Sequence, residues 1–117
     1  MSNEYASWWS FLYILLTLTG CSTAQLHTTS NALIVADWAQ TRYIAAHPQQ
    51  FYEHNPLLGS HPSVGAVNRH FVGSLLVNNA IYYVLPENGK RNWSLIVTGV
   101  EGTLVAHNAC IGIRFDW

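Results

Sequence analysis

The sequence predicts an all-α fold: a small bundle of three long helices behind an N-terminal hydrophobic segment, embedded in a membrane. Three observations lead there. The apolar stretches are longer than strands, which usually run about 3 to 10 residues. Half of the 117 residues are hydrophobic and only 9% are charged, against about 25% in a typical soluble domain. Finally, Pro48, Pro56, Pro62 and Pro86 fall between the apolar segments and not within them, as helices require.

Residues 1–24 read as a hydrophobic anchor or a lipoprotein signal segment. The apolar run from Trp8 to Gly20 suits the core of a signal peptide and is short for a membrane span of about 20 residues. Leu18-Thr19-Gly20-Cys21 has the form of a lipobox, which makes Cys21 the lipidation candidate. The absence of Lys and Arg before Trp8 favours a retained anchor instead. Residues 25–117 form a single helical domain.

Within it, residues 22–31 are a polar linker in which His27 is expected to be solvated. Ser30 or Asn31 can cap the first long helix, which stops at His47, before Pro48. Residues 48–62 form a loop. A second helix runs from Ser63, its cap, to Leu85, with His70, Ser74 and Asn78 one turn apart. Residues 86–92 read as a turn with Asn88-Gly89 at its tip. The last apolar segment is 93–115, where Gly99, Gly102 and Gly112 suit close helix packing. By the positive-inside rule Lys90 and Arg91 place that turn on the cytoplasmic side and the loop 48–62 opposite, whereas the lipoprotein reading of Cys21 puts Lys90 and Arg91 in the periplasm.

Polar groups are sparse, so each is informative. Asp37, Gln40 and Thr41 share one helix face, and a carboxylate there needs a partner. Arg42 follows them. The loop supplies Glu53, Asn55 and His61, and the last segment Glu101, His107 and Asn108. Residues 51–63 are expected to fold back over one end of the bundle and to bury Leu57 and Leu58. Glu53 and Asn55 would then bond His107, Asn108 and Arg42, because Asp37 lies about 15 Å from the end of its helix at 1.5 Å per residue. These ten residues form a polar-cluster or binding site. No H-E-x-x-H, C-x-x-C or G-x-S-x-G pattern occurs, so no catalytic residue, metal site or cofactor is assigned. Net charge is -1, without the basic cluster that nucleic acid requires.

The set Asp37-x-x-Gln40-Thr41, Glu53-x-Asn55-Pro56-x-Leu58-Gly59-x-x-Pro62-Ser63, His107-Asn108 and Gly112-Ile113-Arg114-Phe115 resembles a family of small hydrophobic bacterial envelope proteins to which no activity is assigned. The resemblance covers most of the chain after residue 33. It implies a helical fold in the cell envelope, at the inner membrane or as a lipid-anchored, periplasm-facing module. The function expected is structural or accessory, with membrane lipids and other membrane-protein subunits as partners. The alternatives are a lipoprotein binding module, or a metal-dependent membrane hydrolase using Asp37, Glu53 and His107.

Overall fold

The computed structural model describes residues 8–9, 12–13 and 20–117. Most of the N-terminal apolar run therefore lies outside the described residues; Trp8, Trp9, Leu12 and Tyr13 are described, and all four are exposed. The described chain is an all-α bundle of α1 (Thr23–Ala46), α2 (Val64–Val84) and α3 (Glu87–Cys110).

α1 starts eight residues before the position expected from sequence. Ser22 caps it: the Ser22 hydroxyl accepts from the Gln25 amide at 3.2 Å, and the Gln25 side chain accepts from the Ser22 amide at 2.9 Å. This reciprocal capping box satisfies two of the free amides that open a helix. The segment expected to be a polar linker is thus its first two turns, and His27 is buried, not solvated. Ser30, Ile34, Asp37, Thr41 and Ile44 are buried along one stripe of the helix, at the spacing of a face that packs inward.

α2 begins as the sequence indicates. The Ser63 hydroxyl accepts from the Ala66 amide at 3.1 Å, and the helix ends before Pro86. α3 starts directly after that proline, so the expected turn at 86–92 is helical from Glu87 onward. Pro86 fixes the φ needed at a helix entrance. Glu87 places negative charge at the positive end of the helix dipole and pairs with Lys90 at 3.7 Å. These effects outweigh the turn preference of Asn88-Gly89. At the other end, Gly112 (φ 91°) closes α3. Its amide donates to Ala109 O, and the Ile113 amide to Asn108 O, the Schellman pattern that needs a left-handed residue. The chain then returns to α1, where the Asp116 amide donates to Ala39 O and Trp117 meets Trp38 edge-on.

α1 and α3 run parallel, and α2 runs opposite to both. The Arg91 guanidinium bonds Cys21 O near the start of α1, Thr98 Oγ1 bonds Leu26 O, and Gln40 Nε2 bonds Val105 O. In the other direction, Asn78 reaches Ser30 and Asn31, while Trp38 reaches Asn68. α1 packs on both partners; α2 and α3 touch each other less. Gly99 and Gly102 are buried and let α3 come close enough for side chains to bond the backbone across the interface.

The interior is largely polar. Gln40, Thr41, Thr98, Ser30 and Ser94 are among the most completely buried side chains. The apolar core is small: Ile34, Val67 and Phe71, flanked by Trp38, Leu58, Leu75 and Val97. Most of the buried polar groups are paired, although Ser94 Oγ has no hydrogen-bond partner among the described residues. Asn78 donates to Ser30 and Asn31 and accepts from Trp93 Nε1 at 2.8 Å. His27 bonds Asn79 at 2.8 Å and stacks on Tyr82, with ring centroids 3.7 Å apart.

Among the described residues no helix is long and apolar enough to cross a membrane, which corrects the expectation of three membrane-embedded helices. Each of the three helices is interrupted by polar groups: Asp37 and Arg42 in α1, Asn68, Arg69, His70, Asn78 and Asn79 in α2, and Lys90, Arg91 and Glu101 in α3.

Candidate functional site

The loop between α1 and α2 folds back over the end of the bundle where α3 also finishes. Its turn is built locally. Asn55 Oδ1 accepts from the Leu57 amide at 2.9 Å, and the Leu58 and Gly59 amides bond Asn55 O. Gly59 takes a φ of 80° that side chains disfavour. The Glu53 amide donates to Ser60 O at 2.8 Å and ties the two strands of the loop together. One of the two leucines behaves as expected from sequence: Leu58 packs on the core. Leu57 is 82% exposed, because the turn at Pro56 directs it outward.

Beneath the loop lies a cavity of about 490 Å³. Asp37 and Thr41 line it from α1, Phe71 from α2, His107 and Asn108 from α3, and Glu53 and Asn55 from the loop. Six of the ten candidate residues read from sequence thus share one space with Phe71. Of the other four, Gln40 and Glu101 stand behind the wall. Gln40 accepts from Asn108 Nδ2 at 3.2 Å and so fixes that amide at the cavity edge. His61 is exposed elsewhere. Arg42 is no part of the lining: its guanidinium donates to Asn68 Oδ1 at 2.7 Å.

The partners expected for Glu53 and Asn55, His107, Asn108 and Arg42, are not the ones observed. Glu53 Oε1 accepts from the Asn55 amide at 3.0 Å, and Asn55 Nδ2 donates to His70 Nε2 at 3.3 Å. His107 and Asn108 face the same cavity without bonding Glu53.

The feature missed from sequence is a carboxyl pair. Asp37 and Glu101 meet side chain to side chain across the α1–α3 interface. Burial is the main cause that raises both above the usual carboxylate range. Glu101 is pushed up to about 9, by burial first, then by the negative charge of Asp37 and by donating its own proton to it. On Asp37 the bond from Glu101 partly offsets burial, while the charge of Glu53 adds to the rise. At neutral pH the pair therefore holds one proton, with Glu101 as donor and Asp37 as the charged acceptor. Thr41 Oγ1 also donates to Asp37, at 3.5 Å. Glu101 Oε2 is buried with no hydrogen-bond partner among the described residues.

The arrangement can hold and release a proton beside a partly open cavity lined by Asp37. Asp37, Glu53 and His107 line it together, yet among the described residues no three His, Cys, Asp or Glu side chains are grouped so as to hold a metal ion. Cys21 lies half-buried, its backbone carbonyl held by Arg91 at 2.8 Å. No family model, curated protein or solved structure matches the chain.

Proposed function

We propose that the chain is a small accessory protein of the bacterial cell envelope that lies against the membrane, with the outer faces of α2 and α3 toward lipid. One observation carries this reading: the distribution of polarity is inverted. Polar side chains fill much of the interior, while Leu76, Val77, Val84, Ile96, Val100 and Leu104 stand exposed. Water does not favour that arrangement, since exposed apolar area costs about 25 cal/mol per Å² relative to burial. Contiguous exposed apolar surface marks a membrane or protein contact. The N-terminal apolar run adds a tether, and the exposed Trp8, Trp9 and Tyr13 are residue types that favour the membrane interface. The polar interior needs no chemistry to explain its cohesion, which supports an accessory role over a hydrolytic one.

The test uses Cys21→Ser and Cys110→Ser as background and an environment-sensitive dye at Leu76→Cys. In vesicles whose acyl chains are brominated, the dye at residue 76 is expected to be quenched strongly. A dye at Thr28→Cys, a polar exposed site on α1, is the control. Equal, weak quenching at both positions would contradict the proposal. Because it reads one face of α2, the outcome is independent of the N-terminal tether.

A further inference from the structure

We propose that the cavity beneath the 48–62 loop is a binding site for an organic ammonium ion with an apolar or aromatic body. The formal charges that line it are acidic, Asp37 and Glu53, and no Lys or Arg is among its lining residues. The nearest guanidinium along α1, Arg42, is engaged by Asn68. The walls are apolar and aromatic, with Phe51, Tyr52 and Phe71 from the loop and α2. Aromatic faces attract cations through the ring quadrupole, and a carboxylate set in an apolar wall orients an ammonium by charge-assisted hydrogen bonds. The volume falls within the range of ordinary small-ligand sites, about 300–1,000 Å³. Asp37 is 9% exposed, so its charge is screened little by water and is available only to a group inside the cavity.

The Asp37–Glu101 pair adds a linkage. With no ligand, one proton compensates the charge on the pair. An arriving ammonium supplies that compensation instead, and the proton leaves to solvent. Affinity therefore rises with pH below the titration of Glu101, up to about tenfold per pH unit for one proton released. The other titratable groups facing Asp37 are Glu53 from the loop and His70 from α2, and His54 and His107 line the same cavity. Glu101→Gln isolates the contribution of the pair, since the remaining groups are common to parent and variant.

The experiment is calorimetric titration of the detergent-solubilised full chain with three probes of one shape: phenethylammonium, 2-phenylethanol and phenylacetate. Near pH 8 the ammonium is expected to bind at least about tenfold more tightly than the alcohol, the value of one charge-assisted hydrogen bond, and phenylacetate more weakly still. Asp37→Asn is expected to abolish the preference. Glu101→Gln is expected to keep it, to bind the ammonium no more tightly at pH 7.5 than the parent does, and to lose the rise in affinity between pH 7.5 and 8.5. The inference is overturned if no probe binds, if the alcohol or the anion matches the ammonium, or if the rise with pH persists unchanged in Glu101→Gln.

Discussion

Glu101→Gln is expected to stabilise the bundle at alkaline pH and to flatten its dependence on pH. The sign follows from proton linkage. In the unfolded chain Glu101 titrates near its usual value of 4.5, whereas in the folded bundle it holds its proton up to about 9. Between those values the folded state binds the extra proton, so raising the pH favours unfolding. The loss is on the order of 1 kcal/mol per pH unit for one such group; the stabilising contribution is present in full below the unfolded value and exhausted above the folded one. The raised Asp37 acts in the same direction. A glutamine keeps the shape and can donate to Asp37, but it has no proton to lose. Parent and variant should melt together near pH 5 and separate progressively toward pH 9, with the variant higher. Parallel melting curves across that range would show that the pair ionises like ordinary surface carboxylates.

Phe71→Ala has the second large effect, expected at about 3 to 5 kcal/mol of stability. Phe71 is 4% exposed and clusters with Ile34 and Val67. Its ring lies parallel to Trp38, with centroids 6.3 Å apart. Few apolar side chains share the interior, so little else can collapse into the space left behind. The melting temperature should fall by more than about 10 °C, read by circular dichroism in detergent. A fall of only a few degrees would mean that the polar network, and not this small cluster, holds α2 to α1. The same ring lines the cavity, so core and site are built from one side chain.

Where the sequence could be read, a local rule decided the outcome. Ser63 is a hydroxyl after a proline and before a long apolar run, and nothing competes with it as a cap. The face shared by Asp37, Gln40 and Thr41 follows from helical periodicity alone, and all three are buried. The errors have physical causes too. Ser22-Thr23-Ala24-Gln25 is a capping box, obscured by the polarity of Gln25, His27, Thr28 and Thr29 in the first turns of α1. Those residues look like linker because the bundle accepts polar groups inside it: His27 finds Asn79 and Tyr82. Asn88-Gly89 suggested a turn, but Pro86 and Glu87 started a helix through it.

The Asp37–Glu101 pair was beyond local rules. Sequence shows that Asp37 needs a partner and that Glu101 is the one acidic residue of the last apolar segment. It does not show that α1 and α3 run parallel in the register that joins them. That register is fixed by contacts distant in sequence, such as Gln40 with Val105 and Asn108, and Thr98 with Leu26. Parallel packing of two helices separated by a third follows from the up-down-up order of the bundle. The two carboxyls meet only once it is in place.

The proton shared by Asp37 and Glu101 underlies both the stability profile and the ligand linkage, and infrared spectroscopy reads it directly. A protonated carboxyl has a C=O stretch well separated from the carboxylate bands. At pH 7 the parent should show that stretch from a buried carboxylic acid, Glu101→Gln should lack it, and in the parent it should fade only as the pH rises through about 9. A parent spectrum at pH 7 with carboxylate bands alone, identical to that of Glu101→Gln, would contradict the shared proton.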